Sequence, residues 1–189
     1  ACEAGVGNVV FVHDEDPDVL ELFGEGELAS ILINFPTPFP KKKRAPRRLT
    51  YLDRLMKYRR VLEEGGTVRM RTDSTPFRDF SLTQLELAGY QLEWETDDVR
   101  GMFPDEPWSG YERKLVAKGA PVVGFCAVPG PAPEHVEQTA PLSLVSYLPE
   151  DLENLDYIPF GMQGSIDNIV GYNANRRKKG LPDWRPPIV

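Results

Sequence analysis

The sequence predicts an α/β domain with a largely parallel sheet. Short continuous apolar runs suit strands buried on both faces. Helix-like stretches of roughly 10 to 15 residues separate those runs, which is the habit of strand–helix alternation. At 189 residues with 41% hydrophobic and 27% charged content, the chain has ordinary globular composition and enough length for one well-filled core.

The first candidate strand is the apolar run at residues 9–12, which ends in the acids Asp14, Glu15 and Asp16. Val19, Leu20, Leu22 and Phe23 suggest a short helix stopped by Gly24 and Gly26. Residues 31–35 form a second buried strand, broken by Pro36, Pro38 and Pro40. Prolines at alternate positions force a stiff, extended exit and remove three backbone donors. Thr50 with Asp53 reads as a capping box opening a helix that turns Leu52, Leu55, Met56 and Leu62 inward, with Gly65 and Gly66 at its end. Residues 68–72 make a third strand with Asp73 at its carboxyl end. Thr75 and Pro76 start another helix, closed by Gly89. Residues 90–95 and 122–128 complete the strands. At Pro129 the composition changes, and residues 129–133 read as a semi-rigid linker. The expected division is a domain at 1–128, a proline-rich linker at 129–141 and an extension at 142–189, with helix-like features at 149–155 and 165–179.

Composition excludes several functions. No apolar run reaches the ~20 residues of a membrane span. Two cysteines, Cys2 and Cys126, and two histidines, His13 and His135, give neither a disulfide scaffold nor a metal site, and the compartment expected is the cytoplasm. The net charge of -7 argues on its face against a nucleic-acid binder. Patterning reverses that: Lys41, Lys42, Lys43, Arg44, Arg47 and Arg48 place six of the 22 basic residues in one eight-residue window. Concentrated cations can grip phosphates whatever the average charge.

In open α/β sheets ligands sit at the carboxyl ends of the strands. Collected there are Asp14, Glu15 and Asp16, then residues 34–40, then Thr72 and Asp73. The order of strand, proline loop with Phe35 and Phe39, cations and capped helix is the most specific signal. Its rings can stack on a base and its cations can contact phosphates. Taken alone, the strand-end acids read more simply as solvated helix caps, and the basic run as a solvated face or a sorting signal.

These motifs resemble the bacterial tRNA (guanine-N7-)-methyltransferases, which use S-adenosylmethionine. That family carries Phe-Pro-Asp-Pro-Trp-Pro-Lys-Lys-Arg followed by Lys-Arg-Arg-Leu. Here the segment stands as Phe35-Pro36-Thr37-Pro38-Phe39-Pro40-Lys41-Lys42-Lys43, with Arg47-Arg48-Leu49-Thr50. Its Lys-Thr-Asp matches Arg71-Thr72-Asp73, and its Thr-x-Tyr-Glu-x-Lys-Phe matches Ser109-Gly110-Tyr111-Glu112-Arg113-Lys114-Leu115. The resemblance runs from about Ala4 to about Val128. It implies a partial class I, Rossmann-like methyltransferase sheet from about the third strand onward, plus a C-terminal appendage. It further implies that Glu15 and Thr37 face the methyl donor, and that Thr37 and Asp73 serve catalysis. By the same resemblance, Lys41, Asp73, Ser109, Gly110, Tyr111 and Glu112 meet the tRNA, beside the phosphate-binding Lys42, Lys43, Arg44, Arg47 and Arg48.

Two departures qualify these expectations. Thr37 stands where the family has an acid, and Phe39 where it has Trp. Nothing before Val9 supplies the Gly-rich turn that approaches the donor, so the donor site is expected to be incomplete. The sequence therefore leaves three situations: a truncated enzyme, one completed by a segment of the full-length protein, or a non-catalytic RNA-binding relative using residues 41–48. A strand lacking neighbours favours a homodimer or strand-swapped assembly.

Overall fold

A computed structural model of the chain describes residues 7–13 and 18–185. After a short helix α1 (Val19–Leu22), the elements run β1 (Leu28–Asn34), α2 (Leu52–Val61), β2 (Leu62–Thr72), α3 (Thr75–Leu87) and β3 (Tyr90–Thr96). Two short helices, α4 (Val99–Met102) and α5 (Gly110–Val116), precede β4 (Val123–Pro129), and α6 (Gln163–Lys178) closes the described chain.

The four strands form one sheet in the order β1-β2-β4-β3. β1 and β2 pair in parallel and β4 runs antiparallel to both β2 and β3, so β1, β2 and β3 share one direction. The sheet is largely parallel in strand direction, as expected from sequence, with β4 alone reversed. The reason is topological: the long connection through α4 and α5 returns β4 between β2 and β3, which local periodicity does not encode.

The apolar run at 9–12 forms no strand. Its side chains are exposed, Phe11 by 82%, because no described strand lies beside it to satisfy its backbone. The first strand of the sheet is β1, with one edge unpaired among the described residues.

Thr50 does not cap α2. Its hydroxyl pairs with Ser81 Oγ at 2.7 Å, and Tyr51 takes the cap position without a side-chain bond. An orphan amide of the first turn, Leu52 N, instead donates to Gln84 Oε1 at 3.1 Å, tying α2 to α3. Gly65 and Gly66 lie inside β2, where its register against β1 slips between Leu28 and Ser30. A Cβ at Gly66 would stand 3.0 Å from Glu63 O and 3.1 Å from Leu28 O, so a side chain there would crowd the bulge.

One sheet face packs on α2 and α3 through Val68, Met70 and Phe125 against Leu55, Tyr58 and Leu85. A second cluster joins Phe77 and Phe80 of α3 to Leu144, Met162 and Ile166, so the chain beyond β4 seats on the far side of α3. The proline stretch is fastened as well. Arg59 Nη2 donates to Gly130 O at 2.6 Å, and Pro131 O lies where a Cβ of Gly89 (φ 69°) would be.

Burial of the core tyrosines fixes the alkaline behaviour. Tyr58, desolvated in the core, has its hydroxyl pushed up to about 12. The folded state therefore keeps that proton above pH 10 while the unfolded chain releases it, so stability falls as pH rises from 10 to 12. Arg48, lowered by burial to about 10, acts in the opposite sense over pH 10 to 12.5. Comparing wild type with Tyr58→Phe isolates the tyrosine. Urea titrations at pH 9.5 and 12 should show the variant losing on the order of 2–3 kcal/mol less than wild type. Equal losses in the two proteins would refute this account.

Candidate nucleic-acid interface

The pairing directions bring several chain ends to one end of the sheet. β1 and β2 finish there together, and Thr72 faces Val123 while Thr96 faces Gly124. Phe35 N donates to Arg71 O at 2.8 Å, so the proline loop leaves β1 as a continuation of the ladder. Asp73 follows β2 at the same end.

The loop is held in a strained form. Phe35 and Phe39 adopt φ of 48° and 43°, left-handed values that cost a non-glycine residue about 1 kcal/mol or more each. Its three prolines donate nothing, so its carbonyls need an outside donor. Arg48 provides it, with Nε to Pro38 O at 3.0 Å and Nη2 to Phe39 O at 2.8 Å and Pro40 O at 3.4 Å. Its guanidinium lies 4.2 Å from the Phe80 ring centre, and the residue is 0% exposed.

The six cations of the basic window therefore separate into two groups. Arg48 faces inward as the loop's clamp. Lys41, Lys42, Lys43, Arg44 and Arg47 are exposed on and beside the 3-10 turn at Lys42–Arg47. Arg47 also stacks over the Phe39 ring at 4.9 Å.

Phe35 meets Tyr111 edge to face at 5.7 Å. Tyr111 is an exposed aromatic ring in a segment whose Glu112 is buried. Ser109 Oγ caps α5 by accepting from Glu112 N at 3.0 Å, a Cβ at Gly110 would meet nothing, and buried Glu112 is ion-paired with Arg100. Asp73 is buried and accepts a hydrogen bond from the Tyr157 hydroxyl at 2.6 Å. Desolvation first, and then this contact with Asp73, pushes the Tyr157 hydroxyl well above its ordinary value.

Asp73 and Tyr157 line a cavity of about 520 Å³. Thr37, exposed on the loop, lines a different groove with Lys41, Lys43 and Arg44. The structure thus brings Phe35, Tyr111 and Asp73 to one end of the sheet but places Thr37 and Asp73 on separate cavities. Glu15 lies outside the described residues.

A family model described as "Putative methyltransferase" matches residues 1–124. The chain belongs to this methyltransferase family. Among curated relatives it is 36% identical over 118 residues to the tRNA (guanine-N(7)-)-methyltransferase of Geobacillus kaustophilus, covering 62% of this chain and 54% of that protein. The protein of the same name from Geobacillus thermodenitrificans is 37% identical over 122 residues, covering 62% and 55%. That from Limosilactobacillus reuteri is 32% identical over 129 residues, covering 67% and 61%. The chain thus spans a little over half the length of these relatives.

Methyltransferase membership implies S-adenosylmethionine as the methyl donor. The groove beside the proline loop does not fit it. The groove at the loop is lined by three cations and no carboxylate, the wrong sign for a sulfonium. Among the described residues no helix is long and apolar enough to cross a membrane.

Two side chains at this end of the methyltransferase chain escape sequence reasoning. Tyr157 and Phe160 come from the extension beyond β4, where no spacing signals a site. The only hint is an aromatic on each side of Ile158-Pro159 in a stretch that is otherwise acidic and aliphatic.

Proposed function

We propose that this chain supplies the tRNA-gripping and base-positioning side of a cytoplasmic tRNA (guanine-N7-)-methyltransferase. The observation that carries this reading is the Arg48-clamped proline loop, which presents five exposed cations on one side and the Phe35–Tyr111 pair on the other.

Guanine N7 has a lone pair and no proton, so its methylation needs no general base. The protein's work is to align the ring and to favour the positive charge that develops on it. Asp73 is an acid at this end of the sheet, with Tyr157 holding one of its oxygens. Thr37 can exchange hydrogen bonds with a base edge but adds no charge.

A second reading, a non-catalytic RNA-binding relative, draws support from Thr37 in place of an acid and from the all-cationic groove. Unmodified tRNA incubated with the chain and tritiated S-adenosylmethionine, then cleaved chemically at N7-methylguanosine, tests the enzyme reading. Binding with cleavage supports the enzyme and removes the relative; binding without it leaves the gripping role standing and shows that this chain alone does not complete the donor site. No tRNA binding at low salt would discard both. The open edge of β1 leads us to include self-pairing in this reading, so light scattering should return twice the monomer mass; a monomer removes that part.

A further inference from the structure

The extension beyond β4 returns to the proline loop and builds a second wall against it. Leu144 N donates to Pro40 O at 3.1 Å. Gly161, with φ of 77°, lies so close that an added Cβ would stand 3.8 Å from Pro40 Cγ. Between the two walls is an open groove of about 350 Å³, with Thr37, Lys41, Lys43 and Arg44 on one side and Phe160 and Ser165 on the other.

Phe160 stands out. Its neighbours Pro159 and Met162 are buried, yet its own ring is 74% exposed. A ring held at a fixed point by buried neighbours, facing cations and no acid, combines the two features that bind an unpaired nucleotide. The apolar face accepts a base, and the cations take the adjoining phosphates. An acidic peptide would satisfy the cations but would leave the flat ring without a matching planar partner.

We infer that this groove is a subsite for one unstacked nucleotide of the RNA substrate, its base on Phe160 and its phosphates on Lys41, Lys43 and Arg44. The inference rests on the tRNA-gripping function and adds to it a wall contributed from beyond the family match, which ends at residue 124.

The test uses the full chain with three probes: a single-stranded uridine octamer, a blunt RNA duplex of equal charge, and polyglutamate. Phe160→Ala should weaken octamer binding about tenfold, leave its salt slope unchanged, and leave duplex binding unaltered, since a duplex offers no free base. Phe160→Tyr should restore octamer affinity. The triple variant K41A/K43A/R44A should lower the slope of log K against log salt by about 2. Because Phe160 is exposed, its replacement does not threaten the fold, and unchanged circular dichroism checks this. If Phe160→Ala binds the octamer as wild type does while the triple variant binds weakly, the subsite is wrong and the gripping function stands. If neither RNA binds, both are wrong. Polyglutamate binding that depends on Phe160 while the octamer fails to bind would make the groove a protein-docking site and overturn the inference.

Discussion

Arg48→Met should destabilise the protein by about 2–4 kcal/mol, since it leaves the carbonyls of Pro38 and Phe39 unpaired at ~1–3 kcal/mol each while removing the desolvation cost of the guanidinium. For a chain of this size that corresponds to a fall in Tm of roughly 10 °C. Methionine keeps much of the side-chain volume beside Phe80, so the loss reports mainly on the carbonyls of Pro38 and Phe39, which have no other donor among the described hydrogen bonds, while Pro40 O keeps the Leu144 amide. The same variant should bind RNA more weakly although all five exposed cations remain, because Phe35 and Phe39 would relax from their left-handed backbone conformations. Thermal denaturation and tRNA titration of one preparation measure both effects. A variant within ~1 kcal/mol of wild type, with unchanged affinity, would show that the clamp is dispensable.

The exposed cations should produce the opposite pattern: a large effect on binding and little on stability. With five phosphate contacts from Lys41, Lys42, Lys43, Arg44 and Arg47, wild-type affinity for tRNA should drop by about two orders of magnitude between 50 and 200 mM salt. Changing all five to alanine should flatten that dependence and remove most affinity at low salt, while Tm moves by no more than a few degrees. These side chains make no ion pair among the described contacts apart from the ring stacking of Arg47, so little folding energy is lost with them. A steep salt dependence that survives in the quintuple variant would place the phosphate contacts elsewhere, with the cations at the end of α6 the first place to look. Among those, Arg177 is already committed to Asp183 and Glu153.

Sequence reasoning located β1, β2, α3, β3 and β4 to within a few residues, apart from the six residues at 62–67 that precede the expected start of β2. β1 and β4 are apolar runs stopped by proline, β2 and β3 alternate apolar with polar residues after a glycine, and α3 lies between Pro76 and Gly89. What it missed depends on partners distant in the chain. The direction of β4 follows from where its long connection lands. Thr50 has a capping residue's chemistry, yet Ser81, 31 positions away, claims its hydroxyl. Residues 9–12 read as a strand because hydrophobicity marks what a segment can do, and strand formation also needs a neighbour.

The site was legible to the same degree. The proline loop, Tyr111 and Asp73 do converge at one end of the sheet, as strand order implied. Within the basic window, however, Arg47 and Arg48 are adjacent and chemically identical, and only the fold turns one outward and buries the other. Ser109 and Glu112, expected beside the substrate, also hold the start of α5 and Arg100, contacts that no spacing in the sequence signals. Tyr157 and Phe160 were invisible because their meaning comes from residues about 80 and 120 positions earlier.

A body carrying a net charge of -7 repels a polyanion from most directions, yet the cationic window at residues 41–47 attracts it. Such a molecule has a strong electric dipole moment, and an approaching nucleic acid is turned before it touches, arriving window-first. Encounters are thereby selected by orientation during diffusion, and added electrolyte should slow capture far more than it hastens release.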